Sequence, residues 1–257
     1  MEILTSLVPL HALLACLAVG FLAGIVKGMV GFAMPMIMIS GMGSFVSPEL
    51  ALAGLILPTL ATNGWQALRQ GLGQAWASAV KFRMFLAVGF IALVISAQLV
   101  RFLPVNLMLL MIGVPIVLFA LTQLMGINLK LGAQPARWIE IAVATFAGFI
   151  GGFSGVWGPP TVAYLTALGT PKQEQVRVQG VIYGLGAVAL FGAHIASGVV
   201  RQETMPFAIA LLVPALAGMW IGFAVQDRID QQVFRKATLV VLLVAGGNLV
   251  RRGLLMG

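Results

Sequence analysis

The sequence GFSGVWGPPT, residues 152–161, interrupts a long apolar region and cannot form a continuous helix. Glycines at 152, 155 and 158 each lower helix propensity by about 1 kcal/mol relative to alanine. Pro159 and Pro160 lack amide donors, and a residue that precedes proline disfavours helical backbone angles. We therefore predict that one helix ends in this stretch and that another begins near Val156.

Composition identifies the class of protein. Of 257 residues, 60% are hydrophobic and only 9% are charged, whereas about 25% of the residues in soluble domains are charged. Apolar runs of about 20 residues, the length that spans a bilayer, recur along the chain. We predict an all-α polytopic membrane protein whose residues 1–257 form a single membrane domain.

The formal net charge of +8 does not indicate a nucleic-acid partner, because the basic residues lie mainly in short connections between apolar runs. The N-terminal segment has Glu2 but no basic region, so we expect a retained first helix rather than a cleaved signal peptide. Cys16 is the only cysteine. This count excludes internal disulfides and cysteine-ligated metal sites, and we expect neither a metal nor a cofactor.

Two of the predicted apolar segments, 29–45 and 156–168, are too short to span a bilayer comfortably. Each follows a glycine-rich break, GIVKGMVGFAMP at 24–35 and GGFSGVWGPP at 151–160. The complete set of predicted segments is 4–26, 29–45, 50–68, 82–100, 105–125, 138–153, 156–168, 176–199, 205–225 and 237–250.

An internal duplication is indicated by one recurrent offset. A shift of 127 residues places the glycines at 24, 28, 31 and 71 on those at 151, 155, 158 and 198, and Arg101 on Arg228. We predict repeats at about 4–126 and 137–255, each with a broken or re-entrant helix pair and three transmembrane helices. Because five is an odd number of membrane elements, the two repeats have opposite orientations in the membrane. This inverted arrangement is common in alternating-access transporters.

The distribution of basic residues tests the ten-element arrangement. Connections 69–83, 126–137, 169–177 and 226–236 share one side and hold ten Lys or Arg, against four on the other side. The positive-inside rule makes the first side cytoplasmic and places both termini outside. If each broken pair is one span, the division is eight to six and indicates no orientation.

A broken helix inside a membrane exposes amide N–H groups and a positive dipole end, which together favour an anion. Lys27 lies in the first break, and Ser154 is its counterpart at the 127-residue offset. An alternative for Lys27 is snorkelling to the membrane surface, and an alternative for Trp157 is simple packing. No acidic residue lies deep in an apolar segment, which argues against a carboxylate proton relay or sodium site. The predicted substrate-binding residues are Lys27, Gly28, Gly31, Asn63, Gln66, Ser154, Gly155, Trp157, Gly158, Gln179 and Tyr183.

The order of two glycine-rich breaks, two short apolar segments, proline-containing turns and further helices resembles the sulfite exporter TauE/SafE family of membrane permeases. The stretches GFSGVWGPPTVAYLTALGTPKQEQVRV, 152–178, and FGAHIASG, 191–198, resemble it most. The resemblance implies a multi-pass protein of the bacterial inner membrane that transports, usually outward, small anions such as sulfite or organosulfonates. Trp157, Pro159 and Pro160 replace a Gly-Gly run common in the family, a departure that affects the substrate more than the fold.

Two alternatives remain. GFSG matches an intramembrane serine protease motif, with Ser154 as the nucleophile and His194 as the base. The repeated break, with Lys27 at the position of Ser154, fits a transporter better, and the sequence shows no cluster of oxyanion-stabilising residues. We therefore expect a transporter and not an enzyme. The second alternative is a permease for another small carboxylate anion, and no oligomeric state is predicted.

Overall fold

The computed structural model describes residues 8–99, 104–127, 131–132, 136–154, 158–196 and 201–255. All regular secondary structure in these ranges is α-helical, which confirms the predicted all-α class. The helices are α1 Leu10–Val30, α2 Met34–Met42, α3 Pro48–Leu68, α4 Leu72–Lys81, α5 Arg83–Leu99, α6 Val105–Leu124, α7 Arg137–Ser154, α8 Gly158–Ala167, α9 Lys172–Ala196, α10 Met205–Arg228 and α11 Gln231–Leu255.

Within the described ranges, α1, α10 and α11 are each long and apolar enough to cross a membrane. A fourth candidate span combines α4 with residues 83–96 of α5, which meet at an angle of 71°. Helix α4 lies within the predicted connection 69–83, where no helix is predicted. Only one side of α4 is apolar, and its exposed residues Leu72, Trp76 and Val80 recur every four positions.

The helix boundaries follow the 127-residue offset. A shift of 127 residues places the first residue of α1, Leu10, at position 137, where α7 begins. The same shift places α2 on α8, α3 on α9, α5 on α10 and α6 on α11, and the largest difference between starts is five residues, for α5 and α10. The repeat boundaries and the inverted orientation stay predictions.

The first of two compact units comprises Met1–Ala75 and Gln179–Ile229. Helices α1 and α10 pack so closely in this unit that glycine is required at the contact. A Cβ atom on Gly28 would lie 2.3 Å from the Met219 carbonyl oxygen, and one on Gly222 would lie 2.2 Å from the Ile25 carbonyl oxygen. Small residues of this kind let helix backbones approach each other in membrane proteins.

We expect the substitution Gly28→Ala to lower the free energy of unfolding by about 1–3 kcal/mol, because the added methyl group meets backbone atoms that have no room to move. Gly64→Ala is the matched control, since a Cβ atom there meets nothing within 4 Å. Thermal unfolding in detergent measures both variants. Equal melting temperatures for the two variants would contradict the close α1–α10 packing.

The core of this unit is formed by apolar side chains of α1, α2, α3 and α10. Met34, Met38 and Met42 of α2 are fully buried, as are Phe207 and Leu211 of α10. These side chains hold the short α2 in place, so the break that precedes it has a fixed position.

The ends of α3 and α10 are joined by Arg69. Its guanidinium donates to the Gln226 Oε1 atom at 2.8 Å and forms an ion pair with Asp227 at 2.5 Å. The same guanidinium lies 4.0 Å from the centre of the Phe223 ring, and Phe223 makes an edge contact with Trp65. This cluster fixes one end of α3, the helix that carries Asn63 and Gln66.

The second unit comprises Trp76–Val178 and Asp230–Gly257. Helix α5 packs on α7, where a Cβ atom on Gly148 would lie 2.0 Å from the Gly89 carbonyl oxygen. Helix α6 packs on α11, and α8 is buried against α6, α7 and α11. Lys81 forms an ion pair with Glu174 at 2.5 Å on the exposed side of this unit.

Candidate functional site

The first break lies between α1 and α2. Helix α1 ends at Val30, and Gly31 follows with φ of 88° and donates its N–H to the Lys27 carbonyl oxygen at 2.7 Å. Ala33 has φ of 72°, and α2 begins at Met34. Two residues with positive φ so close together turn the chain sharply, and alanine adopts such angles only rarely.

The predicted segment 29–45 places the start of the helix after the first break near Met29, which was wrong, since this helix begins at Met34. Gly28 remains inside α1, where its missing side chain permits the contact with α10, and of these two glycines only Gly31 leaves the helical conformation. Lys27 and Gly28 therefore lie in the last turn of α1, at the negative end of its dipole. The positive end that the break creates begins with Met34.

Lys27 is buried, with 1% of its surface exposed. Its ammonium donates to the Asn63 Oδ1 atom, and Asn63 in turn donates its Nδ2 hydrogen to the Tyr183 carbonyl oxygen at 3.3 Å. Within the described ranges, no carboxylate forms an ion pair with Lys27. The burial of this side chain does not fit the snorkelling alternative, which requires an ammonium exposed at the surface.

Gln66 and Gln179 satisfy the carbonyl groups at the end of α1. Gln66 donates to the Gly31 carbonyl oxygen at 3.0 Å. The amide orientation that satisfies Gln179 places its nitrogen 2.9 Å from the Gly31 oxygen and 3.2 Å from the Val30 oxygen. These contacts give the two glutamines a capping function at a buried helix end. Their direct contact with a substrate stays a prediction, as does that of Tyr183.

We expect the substitution Gly31→Ala to destabilise the first unit more than Gly71→Ala does. Both glycines have positive φ, 88° and 91°, so both substitutions add backbone strain. A Cβ atom on Gly31 would also lie 2.0 Å from the Gln179 amide, whereas one on Gly71 meets nothing within 4 Å. The difference between the melting temperatures of the two variants measures the cost of displacing the capping amides, and no difference would contradict the capping.

The N-terminus of α2 is the second electrostatic feature of the break. No side chain caps it, and Pro35 lies in its first turn. The first amide groups of a helix have no partner inside the helix, and proline contributes none. Ala33 and Met34 were not among the predicted site residues, although Pro35 indicates their position because proline is favoured in a first helical turn.

The second break lies between α7, which ends at Ser154, and α8, which begins at Gly158. The predicted helix start near Val156 stays a prediction, since the residues just before Gly158 lie outside the described ranges. Gly155, Val156 and Trp157 lie outside the described residues, as do the side chains of Ser154 and His194. Substrate binding by Ser154, Gly155, Trp157 and Gly158 stays a prediction.

The sequence model of the sulfite exporter TauE/SafE family matches residues 16–249. The chain belongs to this family. The match begins inside α1 and ends inside α11, so it includes both broken helix pairs of this TauE/SafE protein. No curated protein and no solved structure matches the chain. Membership identifies a membrane transporter of sulfur-containing anions, and nothing in the described part of the chain favours the protease alternative.

Proposed function

We propose that this TauE/SafE protein is a secondary transporter that exports a small sulfur-containing anion, such as sulfite or an organosulfonate, across the bacterial inner membrane. The observation that carries the proposal is Lys27, a buried ammonium at a broken helix with a neutral amide as its partner. Lysine is rarely buried without a counter-charge, and charged groups inside membrane segments mark substrate pathways.

The chemistry of Lys27 favours an anion. A buried ammonium loses its hydration, and one hydrogen bond to an amide oxygen replaces only part of it. An anionic oxygen that replaces the Asn63 oxygen turns a bond with one charged partner into an ion pair, in which donor and acceptor are both charged. Anion binding thus stabilises the Lys27 ammonium, whose burial is energetically unfavourable in the anion-free protein.

The uncapped start of α2 adds donors to the same break. Met34 follows Gly31 by three residues, so the amide groups of α2 and the end of α1 belong to one short connection. Backbone N–H groups and the positive dipole end at a helix start bind anionic oxygens. We therefore assign the anion to the break between α1 and α2, with Lys27 as its charged contact.

Transport by alternating access is the mechanism we propose, with one set of helices rocking against the other. The first repeat then consists of α1, α2, α3, α5 and α6. In one unit, its first helix, α1, packs on the fourth helix of the second repeat, α10. In the other unit, the fourth helix of the first repeat, α5, packs on the first helix of the second repeat, α7. Reciprocal pairing of this kind supports the duplication on which inverted-repeat transporters are built.

Proteoliposomes loaded with radiolabelled sulfite or ethanesulfonate test the proposal. We expect the protein to accelerate efflux well above that from protein-free liposomes, and an excess of unlabelled anion inside to reduce the labelled flux. Labelled glucose in the same vesicles controls for leakage. If efflux and uptake of both anions are the same with and without the protein, the proposed function is contradicted.

A further inference from the structure

Lys27 is the only charged side chain among the buried residues that the structure describes. The other polar side chains near the end of α1 are neutral amides, Asn63, Gln66 and Gln179, each with no more than 1% of its surface exposed. The formal charge of this group of residues is therefore that of a single ammonium.

The partial charges at the two helix ends of the break add little to this net charge. The C-terminus of α1 at Val30 carries a partial negative charge of about one half, and the N-terminus of α2 at Met34 carries a partial positive charge of similar size. Because Gly31 and Ala33 separate the two ends by a few residues, their fields largely cancel at a distance. The break presents about one unit of positive charge.

We propose that this charge makes the site selective for monoanions. Bisulfite and short organosulfonates bind, whereas the doubly charged forms, sulfite dianion and sulfate, are rejected. The inference rests on the proposed function and adds the charge state of its substrate. A monoanion neutralises Lys27, while a dianion leaves one buried negative charge without compensation, and an uncompensated buried charge is strongly unfavourable.

Competition against radiolabelled ethanesulfonate on the purified protein in detergent is the test. At constant pH, we expect methanesulfonate to compete and sulfate to be at least about 100-fold weaker. Sulfite loses its second proton near neutral pH, so its affinity relative to methanesulfonate should fall about tenfold per pH unit above that ionisation. Methanesulfonate keeps one charge throughout and so corrects for any effect of pH on the protein.

A substitution that keeps the shape of a side chain but adds a negative charge gives a second measurement. Asn63→Asp places a carboxylate against the Lys27 ammonium with almost no change in shape, so the site becomes neutral. We expect ethanesulfonate affinity to fall by about 100-fold. Asn248→Asp makes the same chemical change beside Arg251 in the second unit and should leave the affinity within about twofold.

The outcomes separate the inference from the function that it extends. Sulfate that competes as well as methanesulfonate, or an Asn63→Asp variant with unchanged affinity, overturns the monoanion rule while anion binding stands. A protein that binds no anion at any pH overturns both. Weak sulfate competition with a pH-dependent ratio of sulfite to methanesulfonate supports the rule.

Discussion

The substitution Lys27→Gln is expected to reduce anion transport in proteoliposomes by about 30-fold to several thousandfold. The estimate corresponds to the roughly 2–5 kcal/mol that is lost when one partner of a buried, charge-assisted hydrogen bond is removed. Glutamine retains hydrogen-bonding capacity and much of the length of lysine, but it has no charge. The variant therefore isolates the ammonium, which the proposal makes the main contact of the substrate.

Lys81→Gln is the matched control for this experiment. Lys81 ends α4, and 59% of its side-chain surface is exposed where it pairs with Glu174. An exposed ion pair contributes little to stability, so this variant should transport at nearly the wild-type rate. Flux through Lys27→Gln equal to that through Lys81→Gln would remove Lys27 from the proposed site.

The second large effect is expected on stability. Asn63→Leu removes the amide oxygen that accepts from the Lys27 ammonium and leaves a buried charge without this partner. We expect the free energy of unfolding to fall by about 1.5–3 kcal/mol, the usual contribution of a hydrogen bond to a charged group. The loss of the 3.3 Å bond from Asn63 to the Tyr183 carbonyl oxygen adds to this effect.

A double-mutant cycle separates the charge from the packing. Lys27→Met combined with Asn63→Leu replaces the polar pair by apolar side chains and should recover most of the stability that Asn63→Leu alone removes. Thermal unfolding in detergent of the wild type, both single variants and the double variant gives the coupling energy. Strictly additive changes would show that the ammonium and the amide do not depend on each other.

The fold class and the helix order could be predicted because long apolar segments and glycine-rich breaks are local properties of a sequence. The exact start of α2 could not be predicted from the sequence. Whether Gly28 ends a helix or permits close packing depends on α10, which is distant in the sequence, and the structure shows that it permits packing. Helix α4 was missed because only one of its sides is apolar.

That several polar residues meet near the end of α1 could be predicted, whereas their contacts could not. Lys27 stands out as a basic residue within an apolar segment, and Asn63 and Gln66 lie one turn apart on α3. That the Asn63 amide accepts from Lys27, and that Gln66 and Gln179 cap the end of α1, depends on helix packing that spacing alone does not contain. A glutamine opposite a broken helix end can serve either the backbone or a ligand.

The central claim is that a positive charge at position 27 holds the transported anion, and chemical rescue tests it most directly. In a Lys27→Cys variant with the buried Cys16 replaced by alanine, position 27 carries the only thiol. Alkylation of the unfolded protein with 2-bromoethylamine, followed by refolding into proteoliposomes, creates a side chain of nearly lysine length with an ammonium. Alkylation with iodoacetamide creates a neutral one. The account predicts that the aminoethylated protein regains sulfonate transport and that the neutral adduct does not. Equal transport by the two adducts would contradict it.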